Sequence, residues 1–546
     1  MTNSIQEIRN ADCLFVIGSN TTEAHPVLAM EMKRAVLRGA KLIVADPRRI
    51  WLAGMADHYL QLTPGTDVSL LNAMAHVIIA EGLTDEAFIA QHTEGYEAVA
   101  EAVAEWTPER AEVICGVPAE DIRVAARLYA TTHKAGIYYT LGITEHTHGT
   151  DNVYGLSNLV LLTGHLGRES SGLNPLRGQN NVQGANDSGA SPLYYPGYQR
   201  VAEPNVQARF EQAWGVDLDP IPGLNLNEMM KVIRTGEMRG LFVMGEDILM
   251  SEPNVSQLEA ALPNLEALVV QDIFLTLTAQ RADVVFPASC FAEKEGTFTN
   301  SERRVQRVRK AVAPPGQARA DWQILLDLTA RCGYDGNVGM DPSQIYDEMA
   351  ALCDKFAGIS YARIEAEGGL QWPCPTPDHP GTRFLHQDGP LRGKAQFIPI
   401  DYRRSTELPD ADWPMLLSTG RTLYHYNAAT QTRREEGVND KQRSCFVELH
   451  PLDAANLGVE DQQIVQVETR RGHIDAAVRL TNRVALGRIW LPMHFAEARA
   501  NLLTVDDGDG VTGTAEYKVC AARIVPAGTV PAGTVPAGTV PAETLG

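Results

Sequence analysis

Arg177 is the side chain whose surroundings most invite chemistry. It sits in Asn174–Ala190, NPLRGQNNVQGANDSGA, a run with three glycines, five Asn or Asp residues and two Gln. No apolar face recurs there at a helical or a strand period, so the run reads as a loop whose backbone and amides approach a polar ligand closely. A guanidinium in such a loop offers a planar fork that matches a carboxylate bidentately, with a charge that does not titrate away. The same arginine equally suits a phosphate, and a solvated surface loop is the plainer alternative. His146 and His148, in GITEHTHG, also suggest ligation. As alternate positions of a strand they would share a face, but they lack a third partner nearby, so they read as hydrogen-bonding residues and no metal site is assigned. Tyr424 and His425 form a further polar aromatic pair.

The elements that must position these residues are α/β in type. Cys13–Gly18 (CLFVIG) is a continuous apolar run, as in a parallel strand buried on both faces. It ends in Gly18-Ser19-Asn20, a helix follows from Pro26 to Arg38, and Lys41–Asp46 (KLIVAD) is the next strand. This is a βαβ unit of dinucleotide-binding type without a GxGxxG, hence not an ordinary NAD site. Asp46 offers a carboxylate for a ribose or base, and Arg48 and Arg49 offer cations for phosphate. Gly65 and Asp67 belong to a tight turn, Leu62–Asp67, after a third strand. The arrangement then returns: Gly240–Asp247 (GLFVMGED), Ala267–Asp272 and Asp283–Ala288 read as buried strands, with Gly245 and Asp272 in the places of Gly18 and Asp46. Two such units suggest two similar nucleotide ligands.

Between the units, Ala87–Trp106 and Thr107–Ala130 carry helical patterns, and Tyr154–Leu166 reads as a buried helix. Phe286–Gln306 mixes acids, Asn and Arg. Arg331–Arg404 is poorly patterned and reads as a connector with a little helix. From Trp413 onward short alternating strands (Met415–Ser418, Phe446–Leu449, Ile464–Thr469, His473–Leu480, Arg488–Met493) suggest a small β-barrel, and Val-Pro-Ala-Gly-Thr repeats close the chain. The domains expected are 1–179 and 180–330, both α/β, a connector over 331–410, a barrel over 411–525 and a low-complexity tail over 526–546.

A net charge of −21 argues against nucleic acid as a partner. Eight scattered cysteines without a Cys-x-x-Cys suggest a reducing, cytoplasmic setting. No apolar run is long enough to cross a bilayer, so direct membrane insertion is not expected.

Three stretches carry a family resemblance: GITEHTHGTDNV (Gly142–Val153), NPLRGQNNVQGA (Asn174–Ala185) and YYPGYQ (Tyr194–Gln199). Together they resemble the catalytic subunit of formate dehydrogenases, molybdopterin oxidoreductases of the DMSO reductase class. Ser418–Arg434, His450–Val459, Phe495–Thr504 and Ala515–Ile524 resemble the dinucleotide-binding barrel, of double-psi type, that closes this family. The resemblance implies formate as substrate, two molybdopterin guanine dinucleotides holding Mo or W, and an electron-transfer subunit or acceptor protein. It implies that Arg177 clamps the formate carboxylate, with Gln179 and Asn180 in the cofactor shell. It carries further cofactor contacts onto Gly18, Ser19, Asn20, Asp46, Arg48, Gly65 and Asp67, then Gly142 and His146, then Gly245 and Asp272. In the barrel it places them at Thr419, Arg421, Tyr424, His425, Asn501, Tyr517 and Lys518.

The front of the chain departs from the family. Met1 resembles an internal position just past the cysteine or selenocysteine ligand of the metal, so that ligand, the histidine after it and the [4Fe-4S] domain are expected upstream, in a reading frame interrupted by a selenocysteine codon or a mis-assigned start. The chain as given is then expected to be inactive alone. Alternatives are a nitrate reductase-like enzyme of the same fold and a catalytically silent scaffold, against which the intact arginine loop weighs.

Overall fold

In the computed structural model, residues 1–526 are described; the tail expected over 526–546 lies, from 527 on, outside them. The first sheet contains β1 (Cys13–Ile17), β2 (Lys41–Ala45), β3 (His58–Leu60), β4 (Ala135–Tyr139) and β5 (Gly172–Pro175), all parallel, in the order β3-β2-β1-β4-β5. Its centre is apolar on both faces because β1 is apolar at every position: Cys13, Phe15 and Ile17 enter one core, Leu14 and Val16 the other. Helix α1 (Pro26–Leu37) starts on a proline and buries Leu28, Ala29, Met32 and Ala35, the i, i+4, i+7 stripe of a half-buried helix. Helices α2 (Asp67–Ala80) and α3 (Gly149–Leu162) pack on the opposite face. Helix α3 begins five residues before the helix read from sequence and ends at Thr163 and Gly164, where Gly164 takes φ +62°.

The second unit has the same local wiring. Strands β6 (Gly240–Met244), β7 (Ala267–Asp272) and β8 (Val284–Pro287) are parallel, in the order β8-β7-β6. Gly18 donates its N–H to the Ala45 carbonyl at 2.9 Å, and Gly245 donates to the Gln271 carbonyl at 2.9 Å. The Leu42 N–H donates to Asp57 at 2.9 Å, and that of Leu268 to Asp283 at 2.7 Å. The repeat read from sequence is thus also a repeat of hydrogen bonds. One expectation fails: these strands are not buried on both faces. Val243, Leu268 and Val270 are covered, whereas Phe242, Met244 and Val284 are exposed, because no helical layer covers their side among the described residues.

A hairpin, β9 (Gly296–Thr299) with β10 (Arg304–Val308), runs back toward the first unit. The stretch read as a connector with a little helix contains helices Pro342–Ala351 and Tyr361–Glu367 and also has a core of its own, built on Tyr346, Phe356, Ile359 and Trp372. Its aromatic and aliphatic residues come at irregular spacing, which hid that core.

The carboxy-terminal strands are β11 (Met415–Gly420), β12 (Phe446–Leu449), β13 (Ile464–Thr469), β14 (Gly472–Leu480), β15 (Arg488–Pro492) and β16 (Cys520–Pro526). They close a barrel in the order β11-β15-β12-β14-β13-β16. Two pairs are parallel, β11 with β15 and β12 with β14; the others are antiparallel. Strand β16 was missed in the sequence because it is read apart from the alternating run, behind a long loop. No helix among the described residues is long and apolar enough to cross a membrane.

Candidate functional site

The loop that carries Arg177 leaves β5 at Pro175 and is pinned from three sides. Leu176 donates its N–H to the Tyr139 carbonyl at 2.9 Å, Arg177 to the Ser301 hydroxyl at 3.2 Å, and Asn180 to the Tyr426 hydroxyl at 2.6 Å. Asn181 takes φ +62°, and its side chain accepts from the Thr299 N–H at 3.0 Å. The loop then stops: Val182–Asp187 is a short helix, α4, contrary to the reading of Asn174–Ala190 as loop throughout. Its polar residues are used internally. Gln183 donates to Asp187 at 2.8 Å, and Asp187 accepts from Tyr198 at 2.9 Å and from the Trp372 indole at 2.7 Å. Polar side chains that satisfy one another can be buried without an apolar stripe. Arg177 itself is exposed, and among the described residues no carboxylate lies within ion-pair distance of its guanidinium.

Three cavities adjoin one another, two of them at this loop. The first, between the top of the first sheet and the barrel, is lined by Gly18, Asn20, Asp46, Asp67, Gly142 and His146 from the α/β side. Arg48 and, from the barrel, Thr419, Arg421 and Lys518 complete it. The second, of about 610 Å³, shares Arg421 with the first and contains His25, Arg177, Gln179, Tyr424 and His425. The third, of about 430 Å³, shares Arg177 and Gln179 with the second and adds Asn180. Ten of the residues expected at a cofactor thus gather in one cavity.

Others are placed elsewhere. Ser19 bonds Thr21 at 2.9 Å, and Gly65, at φ +78°, turns the chain against Ser405. Asn501 donates to the carbonyls of Met250 and Ser251, and Tyr517 donates to that of Ser251, so both strap the second unit to the barrel. Gly245 has open space where a Cβ would stand, and Asp272 closes its own turn by accepting from the N–H groups of Ile273 and Phe274. These six residues line none of the three cavities.

Several side chains are committed to the fold. Arg48, read as a phosphate cation, forms two 2.6 Å hydrogen bonds to Glu448 and stacks on Trp490 at 3.8 Å. His425 is buried and bonded to the Gln442 carbonyl at 2.8 Å. Gly18 and Gly142 press together: a Cβ on Gly142 would stand 2.5 Å from the Gly18 carbonyl oxygen. His146 and His148 do not lie on a strand. They lie in the turn between two helices with their rings stacked, 5.5 Å apart.

The first cavity has a titratable floor. Burial alone would hold His146 neutral, but Glu516 at 2.9 Å and Asp67 at 4.0 Å outweigh it and lift its pKa to about 9. Burial raises Asp46 to about 7, against the N–H that Arg48 donates to it. Burial likewise raises Asp67 to about 6.

The residues missed by sequence reasoning, Thr22, His25 and Thr422, lie at one place, beside the expected Asn20 and Arg421. Asn20 Nδ2 and Oδ1, Thr22 Oγ1 and both ring nitrogens of His25 are buried without a hydrogen-bond partner among the described residues. Across from them Arg421 Nε and Thr422 Oγ1 are in the same state. Native proteins satisfy about nine in ten such atoms, so a cluster of seven on two facing segments has the donors and acceptors of a site built for a polar ligand. A pterin nucleotide fits that donor set. The hint available in the sequence was the polar run Ser19–His25 between a buried strand and a proline-started helix.

The comparisons with known proteins agree with this architecture. The chain belongs to the molybdopterin oxidoreductase family: that family, "Molybdopterin oxidoreductase", matches residues 1–331, and "Molydopterin dinucleotide binding domain" matches residues 415–521. Within the family the chain is similar to formate dehydrogenase alpha subunits. It is 46% identical over 528 residues to the F420-dependent formate dehydrogenase subunit alpha of Methanocaldococcus jannaschii, covering 96% of this chain and 78% of the relative. It is 39% identical over 533 residues to formate dehydrogenase H of Escherichia coli, covering 96% and 74%. Acetylene hydratase of Pelobacter acetylenicus shares the fold, with a TM-score of 0.75 at 20% identity over 96% of this chain and 80% of that one. The chain is an oxidoreductase of this family, and it carries the family's molybdopterin-binding regions.

Proposed function

We propose that this chain is the cofactor-holding catalytic body of a formate dehydrogenase, in which formate loses its C–H bond to give carbon dioxide, a proton and two electrons. The observation that carries the reading is the Arg177 guanidinium: without an ion-pair partner among the described residues, on a loop pinned by Ser301 and Tyr426, and shared by two cavities next to the cluster of unsatisfied polar atoms. Its fork orients the carboxylate of formate, leaving the C–H bond as the feature the rest of the site must face. Asn20, Thr22 and His25 from one side and Arg421 and Thr422 from the other would hold the pterin. The molybdopterin-bound metal, Mo or W, supplies the two-electron acceptor.

The matched wiring of Gly18 with Ala45 and of Gly245 with Gln271 supports two guanine dinucleotides, one for each unit. Of the two matching carboxylates, Asp46 lines the first cavity, whereas Asp272 is taken up by its own turn and is given no ligand contact. Electrons would leave through an iron–sulfur cluster and a partner subunit or acceptor protein, in a cytoplasmic setting consistent with eight free thiols. A silent scaffold has no use for an uncompensated arginine beside a ligand-shaped cavity.

The test is metal and nucleotide analysis of protein produced in a host that makes molybdopterin, followed by formate-dependent reduction of a viologen dye once the relatives' unmatched portion is supplied. Mo or W with about two guanines per chain, and dye reduction by formate, are expected. Cofactor-loaded protein that reduces no dye with formate sinks the reading.

A further inference from the structure

His25 stands at the joint between the cofactor cavity and the arginine loop. It is 7% exposed, it ends the polar run between β1 and α1, and it lines the cavity that also contains Arg177 and Arg421. Its ring lies under the backbone of the loop: a Cβ on Gly178 would stand 3.9 Å from His25 Nε2. The carbonyls of Leu176 and Arg177 face the ring, yet neither nitrogen closes a hydrogen bond of ordinary geometry. Burial, helped by the Arg421 charge, lowers its pKa to about 4. The imidazole is therefore neutral, with one N–H to donate and one nitrogen to accept. A neutral ring fits here, since a charged one would add a third cation beside Arg421 and Arg177.

We propose that His25 is a positioning residue that bridges the bound pterin to the Leu176–Gly178 backbone, so that occupancy of the cofactor cavity fixes the loop that aims Arg177. One ring nitrogen serves the ligand and the other the loop carbonyls, and both bonds form together only when the cavity is filled. Coupling of this kind needs a single side chain in reach of both parts, and His25 sets its ring against the loop while both of its nitrogens are unsatisfied. The proposal rests on the reading of the cavity as a pterin site, and the experiment separates the two.

The experiment compares backbone hydrogen exchange across residues 176–181 in the full chain, with and without cofactor, for wild type, His25→Leu and His25→Gln. Molybdopterin and guanine content is measured on the same samples. In wild type, loading is expected to slow exchange of the loop at least tenfold. His25→Leu should retain cofactor through Asn20, Thr22, Arg421 and Thr422 while losing most of that slowing, and His25→Gln, which keeps a donor and an acceptor, should restore part of it. Equal slowing in wild type and in loaded His25→Leu overturns the bridge and leaves the pterin site standing. Should His25→Leu fail to load, a wild-type loop that exchanges alike with and without cofactor, or a His25→Gln loop that responds no better than an empty one, overturns it. Wild-type protein that takes up no pterin overturns the site itself and the bridge with it.

Discussion

Arg48 and Glu448, 400 positions apart, are joined by two 2.6 Å hydrogen bonds in a pair almost sealed from solvent. Arg48 comes from the turn after β2 and Glu448 from β12, so the pair clamps the first α/β unit to the barrel directly beneath the first cavity. Trp490 covers the guanidinium, and Arg483 and Glu23 extend the network at 3.0–3.8 Å.

Breaking that pair from one side leaves a buried charge. Glu448→Ala is expected to destabilise the protein by about 2–4 kcal/mol, somewhat below the usual cost of an unpaired buried ion because Glu23 remains near Arg48. The double substitution Arg48→Met with Glu448→Leu should cost less than Glu448→Ala alone. Urea midpoints of the three proteins check the order; a double variant less stable than the single one would contradict it.

Arg177→Lys keeps the charge but loses the fork. In the complete enzyme kcat/KM for formate should fall by about a hundredfold, equivalent to roughly 3 kcal/mol of transition-state binding. Metal and guanine content should stay at the wild-type level. Loss of metal from the variant would make Arg177 a residue that holds the cofactor and would remove it from the substrate.

These two arginines show where the sequence is legible. The βαβ unit around Gly18, its repeat at Gly245 and five of the six barrel strands follow from apolar runs and turn residues, because strand burial is written in local pattern. Arg177 stands out because no apolar face recurs around it. Arg48 looks the same in sequence, yet its partner is 400 residues away, and no local pattern records a pairing over that distance. The helix Val182–Asp187 was hidden for the same reason: its polar residues are satisfied by Tyr198 and Trp372, which are supplied by other segments. Thr22 and His25 were passed over because a site made of unsatisfied atoms exists only once the fold has buried them.

The floor of the first cavity makes stability depend on pH in a stated direction. His146 has a folded pKa of about 9 against an ordinary 6.5. Its contribution is therefore complete below 6.5 and lost as pH rises through 9. Asp46 and Asp67, raised to about 7 and about 6 from 3.8, also bind protons more tightly when folded, so their contribution fades as pH rises toward 7. Glu516, depressed by His146 against its own burial, acts oppositely: its contribution is present above 4.5 and lost as pH falls. Between pH 6.5 and 9.5 the His146 contribution, on the order of 3 kcal/mol, should disappear. The urea midpoint should fall over that range in wild type and stay nearly level in His146→Gln. A wild-type midpoint that holds steady to pH 9.5 would show that the pair with Glu516 is not ionised as described.

The unsatisfied atoms of Asn20 and Thr22 lead to a trade-off between stability and cofactor retention. In the cofactor-free protein each buried donor or acceptor without a partner costs about 1–3 kcal/mol. Asn20→Leu and Thr22→Val replace those groups with apolar ones of similar volume, so each should raise the thermal midpoint of the cofactor-free chain. The same atoms are the ones proposed to bond the pterin, so the same substitutions should weaken its retention, by about tenfold for each hydrogen bond worth roughly 1.4 kcal/mol. The two effects have opposite signs, and a residue that merely packs cannot produce both: an ordinary cavity or clash lowers the midpoint and retention together. Melting curves of the cofactor-free variants and guanine release after gel filtration of the loaded ones measure them separately. Variants that melt lower than wild type and still hold their pterin would show that Asn20 and Thr22 find partners within the protein, and that the pterin is held elsewhere.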